Sequence, residues 1–140
     1  MKLIYLFNWW KGSDNGGGAK KFNCELVSSL KNNYNIKGNV LYSRGNDPNE
    51  FKIGDNSFSS IKKILTLLRS IKPNSILVEG GIYFAFSALI YKLFDSKKTK
   101  IVYTFLTYPQ NGKKASAFFL GLILVYFDKI VFVSNNLKDI

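Results

Sequence analysis

The chain has 140 residues, of which 46% are hydrophobic and 21% are charged, a size and composition that fit one globular domain and exclude a wholly disordered protein. One cysteine and no histidine exclude an internal disulfide, a cysteine-based zinc site and a histidine general base. The formal net charge of +11 is compatible with nucleic acid, an anionic membrane face or a phosphate-bearing substrate, and equally with a coding bias that leaves lysines on solvated helix faces.

Strand-like and helix-like segments alternate along the whole chain. Short apolar runs predict strands at residues 2–7, 39–43, 75–79, 101–106 and 129–133. Helical spacing of apolar residues predicts helices at 19–33, 58–71 (with Ser57 as N-cap), 82–94 and 113–128, and a last helix after Ser134. Residues 44–56 are polar and form the one long predicted loop. Because such alternation is typical of a parallel sheet, we predict one Rossmann-like α/β domain over residues 1–140, with about five strands and helices on both faces.

The predicted helix over residues 113–128 has almost no polar face. Its uncharged part, residues 115–127, would extend about 20 Å as a helix, less than the roughly 30 Å hydrocarbon core of a bilayer. We therefore predict that it does not cross a membrane. A small domain cannot cover such a helix on every side, so we expect some of its apolar surface to be exposed, for contact with another lobe, another chain or a membrane interface.

A glycine-rich turn, residues 12–19 (GSDNGGGA), joins the first predicted strand to the first predicted helix. The dinucleotide fingerprint fails here, because Lys21 stands where its third glycine is needed and no acidic residue ends the second strand. The Walker A motif fails because no Gly-Lys-Ser/Thr follows. Two interpretations remain: a tight strand-to-helix turn, or a close approach of Gly16, Gly17 and Gly18 to a ligand.

Three segments in the expected order resemble the amino-terminal lobe of GT-B-type glycosyltransferases of the retaining, group 1 (family 4-like) superfamily. They are residues 15–22 (NGGGAKKF), which open the first helix, residues 71–78 (IKPNSILV) and residues 127–138 (FDKIVFVSNNLK). The resemblance implies a truncated, single amino-terminal lobe that binds the acceptor. The second lobe of this family, which binds the nucleotide sugar, has no counterpart in the chain.

The resemblance places the candidate substrate-binding residues at the carboxyl ends of the predicted strands. They are Gly16, Gly17, Gly18, Glu79, Gly80, Thr107, Tyr108, Ser134 and Asn135. Many relatives carry a histidine in the loop after the fourth strand, and this chain has none, so no catalytic residue is carried over. Glu79 is interpreted either as a carboxylate that orients an acceptor hydroxyl or as an exposed strand-end charge. Thr107 and Tyr108 either bind a sugar or shape the loop.

The family implies transfer of a sugar from a nucleotide sugar to a glycan or lipid-linked acceptor, with no metal and no cofactor held by this chain. We expect the chain to be inactive alone and to work with a donor-binding lobe or a second chain. A non-catalytic binding partner is the alternative, and nucleic-acid binding ranks last because the lysines are scattered and no nucleic-acid motif is present. The expected location is cytoplasmic, and peripheral contact with the inner face of an anionic membrane is a hypothesis.

Overall fold

A computed structural model describes residues 1–14, 17–55, 57–106 and 114–133. The strands are β1 (Leu3–Trp9), β2 (Gly38–Arg44), β3 (Phe51–Lys52), β4 (Ser75–Glu79), β5 (Lys100–Phe105) and β6 (Lys129–Phe132). The helices are α1 (Gly17–Tyr34), α2 (Ser60–Ile71), α3 (Ile82–Ile90) and α4 (Lys114–Leu124), and a π-helical turn (Tyr91–Asp95) continues α3.

The six strands form one parallel sheet in the order β3-β2-β1-β4-β5-β6. The chain therefore builds the sheet in one direction from β1 to β3 and in the other direction from β4 to β6. The order reverses between β1 and β4, where Phe7 lies in register with Glu79. In open α/β sheets such a reversal leaves a crevice beyond the carboxyl ends of the strands, which is where ligands bind.

Strand β1 is buried on both faces of the sheet, which explains why its sequence is an almost continuous apolar run. On one face Ile4 and Leu6 join a core cluster with side chains from α2, α3 and α4. On the other face Tyr5 and Phe7 join a second cluster, covered by α1. Cys24 of α1 packs against this second cluster.

The predicted α/β fold is confirmed, with one strand more than the five predicted. Strand β3 lies within the predicted loop, and its two residues pair with β2 at the edge of the sheet, too short a segment for any hydrophobic pattern. The prediction that Ser57 caps the second helix is wrong. Helix α2 begins at Ser60, and the Ser57 carbonyl instead accepts the Ser60 N–H at 3.0 Å in a turn that precedes the helix.

Helix α4 ends at Leu124, four residues earlier than predicted. The chain turns there because Asp128 is anchored to the start of β5, where its N–H donates to the Ile101 carbonyl at 2.9 Å. Phe118, Leu122 and Val125 are 65%, 50% and 78% exposed, as expected for an over-apolar helix on a small domain. Among the described residues, no helix is both long and apolar enough to cross a membrane. The helix predicted after Ser134 lies outside the described residues.

Candidate functional site

A cleft of about 630 Å³ opens at the carboxyl ends of β1, β4, β5 and β6, where the strand order reverses. It is lined by Asn8, Trp9, Gly18, Ala19, Phe22, Glu79, Gly80, Leu106 and Val133. A second cavity of similar volume lies at the opposite end of the sheet, beside Arg69, Lys72 and Lys98. Ligands of open α/β sheets bind at the carboxyl end, so we take the first cleft as the candidate site.

Glu79, the last residue of β4, is the buried carboxylate of this cleft. It is only 6% exposed, so it is not the exposed strand-end charge that the sequence left open. Its Oε2 accepts hydrogen bonds from the backbone N–H of Asn8 at 3.2 Å and from Nδ2 of Asn23 at 3.1 Å. Burial raises the pKa of Glu79, and the hydrogen bonds from Asn23 and Asn8 lower it only in part.

Asn23 links three elements behind the cleft. This fully buried side chain comes from α1, and its Nδ2 donates both to Glu79 of β4 and to the Trp9 carbonyl of β1, the latter at 2.9 Å. Both amide hydrogens are therefore in use, and rotating the amide would break both bonds. Its Oδ1 is buried with no hydrogen-bond partner among the described residues.

Gly80 allows the end of β4 to lie directly against the end of β1. Its φ is +106°, and a Cβ at this position would lie 2.6 Å from Cβ of Asn8, so both the backbone and the space require glycine. The hydroxyl of Tyr103 donates to the Gly80 carbonyl at 2.5 Å. Burial, and to a smaller extent the nearby Glu79 charge, raise the pKa of Tyr103, which keeps its hydroxyl a donor.

The described parts of the glycine turn are residues 12–14 and 17–19, and Gly12, with φ +81° and a Cβ position 2.6 Å from the Asn46 carbonyl oxygen, requires glycine. Gly17 has φ +42°, which favours glycine, but a Cβ at Gly17 or at Gly18 would meet nothing within 4 Å. Packing therefore leaves room at Gly18 for a side chain. Because Gly18 lines the cleft in the first turn of α1, its missing side chain gives a ligand access to the helix N-terminus.

The described residues around the cleft give it a carboxylate and aromatic surface, but no cation in its lining. Among its described lining residues, Glu79 is charged and none is cationic. Arg44 stands over the Trp9 ring at 4.8 Å from the centroid, and Lys20 Nζ donates to the Ser13 carbonyl at 2.9 Å. The half-buried rings of Trp9 and Phe22 add apolar surface, so the described lining combines aromatic faces with one carboxylate.

The structure brings Gly18, Glu79 and Gly80 together at the cleft, as the sequence predicted for strand ends, with Gly17 next to them. Five predicted residues lie outside the described residues, namely Gly16, Thr107, Tyr108, Ser134 and Asn135. Leu106 and Val133, which directly precede Thr107 and Ser134 in the chain, line the cleft.

Six residues that line the cleft were not among the predicted site residues, nor was Asn23 behind it; the six are Asn8, Trp9, Ala19, Phe22, Leu106 and Val133. A signal existed for Asn23, because it shares a helical face with Val27 and Leu30, and a polar residue on an apolar face needs a buried partner.

No protein-family model matches the chain, and no curated protein sequence matches it. Its structure is similar to that of UDP-N-acetylglucosamine 2-epimerase from Rickettsia bellii, with a TM-score of 0.65 and 16% sequence identity. UDP-GlcNAc 2-epimerase from Methanocaldococcus jannaschii gives a TM-score of 0.62 at 11% identity. The enzyme from Neisseria meningitidis, bound to UDP-GlcNAc, gives 0.54 at 13% identity.

These similarities cover 99%, 99% and 88% of this chain in that order, but only 40%, 41% and 38% of the neighbours' chains. At such identities the similarity concerns the fold. The chain is a Rossmann-like α/β unit that matches part of GT-B-type structures.

Proposed function

We propose that the chain is the acceptor-side half of a two-lobed, GT-B-type glycosyltransferase of the group 1 kind, which transfers a sugar from a nucleotide sugar to a glycan or lipid-linked acceptor. The observation that carries the proposal is the cleft at the strand reversal, where a buried carboxylate is held beside two aromatic rings. The fold shared with enzymes named for a sugar nucleotide supports the same class of substrate.

The lining of the cleft favours the acceptor over the donor. A nucleotide sugar carries a diphosphate, which proteins bind with cations and clusters of N–H donors. The N-terminus of α1 beside Gly18 offers N–H donors, but the described lining contains no cation and carries a carboxylate at Glu79, which repels a diphosphate. A carboxylate accepts hydrogen bonds from hydroxyl groups, which is what an acceptor sugar presents. In this proposal the diphosphate is bound by a second lobe or a second chain.

The exposed face of α4 extends the proposal to a lipid-linked acceptor. Phe118 and Leu122 are exposed and spaced by four residues, so they share one side of the helix, and the exposed Val125 follows directly after the helix ends. With the net charge of +11, this side suits peripheral contact with an anionic membrane.

Epimerisation of a sugar nucleotide is the second candidate, because the similar structures are UDP-GlcNAc 2-epimerases. An epimerase that inverts a C–H carbon by loss and return of a proton introduces deuterium into its product when it works in D2O. Sugar transfer leaves the carbon-bound hydrogens in place. Mass spectrometry of UDP-GlcNAc incubated with the protein in D2O tests this second candidate, because deuterium in the sugar favours epimerisation. Saccharide binding in the cleft favours the acceptor proposal.

A pair of glycine variants tests the cleft assignment. Gly18→Leu places a side chain in open space that lines the cleft, whereas Gly121→Leu makes the same change in α4, also in open space, at a residue that does not line the cleft. In an NMR titration with methyl β-D-glucopyranoside, we expect the amide signals of Gly18 and Gly80 to shift in the wild type. We expect Gly121→Leu to behave the same and Gly18→Leu to lose binding. Equal binding by all three proteins would overturn the assignment.

A further inference from the structure

The two carboxylate oxygens of Glu79 differ in their hydrogen bonding within the protein. Both hydrogen bonds that the described residues give it, from Asn8 and Asn23, end on Oε2. The side chain also lines the cleft, which leaves Oε1 as the atom that accepts a hydrogen bond from a ligand. Two donors on one oxygen fix the plane of the carboxylate as well as its position.

Asn23 does not line the cleft, yet it determines how Glu79 faces it. Its amide is locked between the Trp9 carbonyl and Glu79, and the residue is fully buried. Because Asn23 donates both hydrogens, the arrangement suits Glu79 as a hydrogen-bond acceptor. Asn23 therefore acts through Glu79, without touching the ligand.

We propose that Glu79 selects a neutral saccharide by accepting a hydrogen bond from one of its hydroxyl groups, and that Asn23 is the positioning residue for this carboxylate. The inference rests on the proposed function and deepens it by specifying the chemistry of the acceptor.

An acidic sugar is disfavoured by charge at this position. A uronic acid would bring a second carboxylate close to one that is already largely removed from water, and like charges repel most strongly there. The described lining contains no cation to pair with it, and the Arg44 guanidinium stacks over the Trp9 ring. A neutral sugar instead offers hydroxyls to Glu79 and apolar C–H faces to Trp9 and Phe22.

The net charge of the protein would by itself favour the acidic sugar, which is the opposite of the selectivity proposed for Glu79. With a charge of +11, the field of the whole molecule attracts anions. A non-specific surface would bind the acidic sugar more tightly, so a preference for the neutral sugar can come only from local groups such as Glu79.

The test compares methyl β-D-glucopyranoside with methyl β-D-glucuronide, and the matching galactose pair, in NMR titrations of the full chain in mildly alkaline solution, because the raised pKa of Glu79 favours its neutral form in acid. We expect the wild type to bind the neutral member about tenfold more tightly, since a tenfold ratio needs about 1.4 kcal/mol and like-charge contacts cost that much or more. Glu79→Gln keeps an oxygen for Asn8 and Asn23 but removes the charge, and should reduce the ratio to about twofold or less. Glu25→Gln changes the net charge equally on an exposed part of α1 and should keep the wild-type ratio.

Asn23→Ala tests positioning separately from selectivity. We expect it to weaken neutral-sugar binding several-fold while the neutral preference remains, because the charge is still present. A purely structural role would lower the unfolding midpoint and leave the affinity of the folded protein unchanged, which would overturn the positioning role. If Asn23→Ala does not fold, Asn23→Gln displaces the same amide by one methylene, and wild-type affinity in that variant would overturn it equally.

The outcomes also separate this inference from the proposed function. Binding of both sugars without preference, or a preference that survives Glu79→Gln, overturns the inference alone. Failure of all four glycosides to bind the wild type overturns the cleft assignment itself.

Discussion

Gly80 and Asn8 approach so closely that a Cβ on Gly80 would lie 2.6 Å from Cβ of Asn8. This contact brings the ends of β4 and β1 together and places the Asn8 N–H on Glu79. The floor of the cleft therefore depends on a glycine that the sequence shows only as half of a Gly-Gly pair.

Gly80→Ala should destabilise the fold by about 1–3 kcal/mol, because alanine is strained at positive φ and its methyl group overlaps Asn8. Gly18→Ala should be neutral or stabilising by up to about 1 kcal/mol, because its Cβ meets open space in a helix. Urea denaturation measures both. A Gly80→Ala midpoint equal to that of the wild type would show that the end of β4 adjusts freely.

Glu79 should make the protein less stable as the pH rises through its raised pKa. Its pKa in the folded state lies above the ordinary value because burial disfavours the charge, with Tyr103 of β5 as the neighbouring ionisable group. The folded state then holds the proton more tightly than the unfolded chain, so stability falls between the unfolded and the folded pKa. Glu79→Gln should remove this dependence, as measured by urea midpoints over a pH series from acid to mildly alkaline solution. An unchanged pH profile in the variant would contradict the assignment.

Asp128 should make the protein less stable as the pH falls, which is the opposite of the dependence expected from Glu79. Burial opposes its charge, but hydrogen bonds from Lys92 and the Ile101 N–H, and the charges of Lys92 and Lys100, outweigh burial and hold its pKa below the ordinary value. Its contribution is present above the unfolded pKa and is lost as the pH falls through the folded pKa.

Asp128→Asn should therefore lower the free energy of unfolding at neutral pH by about 1–2 kcal/mol. In acid the wild type loses the same contribution, so the free energies of unfolding of the two proteins should become more similar. Asp95→Asn, which breaks the more exposed pair with Arg69, serves as the control and should have little effect. Equal losses in both variants at neutral pH would mean that the charge of Asp128 contributes no more to stability than the more exposed charge of Asp95.

The exposed face of α4 should carry membrane contact. We expect the wild-type chain to co-sediment with vesicles of anionic phospholipid in a salt-sensitive manner. Replacing Phe118 and Leu122 with serine should reduce binding, whereas Phe58→Ser, at an equally exposed phenylalanine elsewhere, should not. Absence of salt-sensitive binding by the wild type would refute membrane contact.

The sequence predicts the sheet well because its strands are short apolar runs buried on both faces. β4 has the bounds that the sequence predicted, and β5 and β6 differ from the prediction by about a residue at their ends. β3 could not be predicted, because two exposed residues at a sheet edge leave no pattern. The early end of α4 depends on the tie between Asp128 and Ile101, a contact between residues 27 apart.

The position of the candidate site could be predicted from the sequence, but the hydrogen bonds that hold Glu79 in it could not. The strand-end rule finds Glu79 and Gly80, and the glycine turn finds Gly18. The role of Asn23 depends on tertiary packing that brings α1 over β4, residues 56 apart in the chain. This packing buries Glu79 and places Asn23 within hydrogen-bond distance of it.

A crystal of the chain soaked with methyl β-D-glucopyranoside would show whether a saccharide binds in the cleft. We expect the glycoside to lie between Glu79, Trp9 and Gly18, with a sugar hydroxyl donating to the Glu79 carboxylate. Glycoside bound only in the cavity of Arg69, Lys72 and Lys98 at the opposite end of the sheet, or an empty cleft at saturating glycoside, would contradict it.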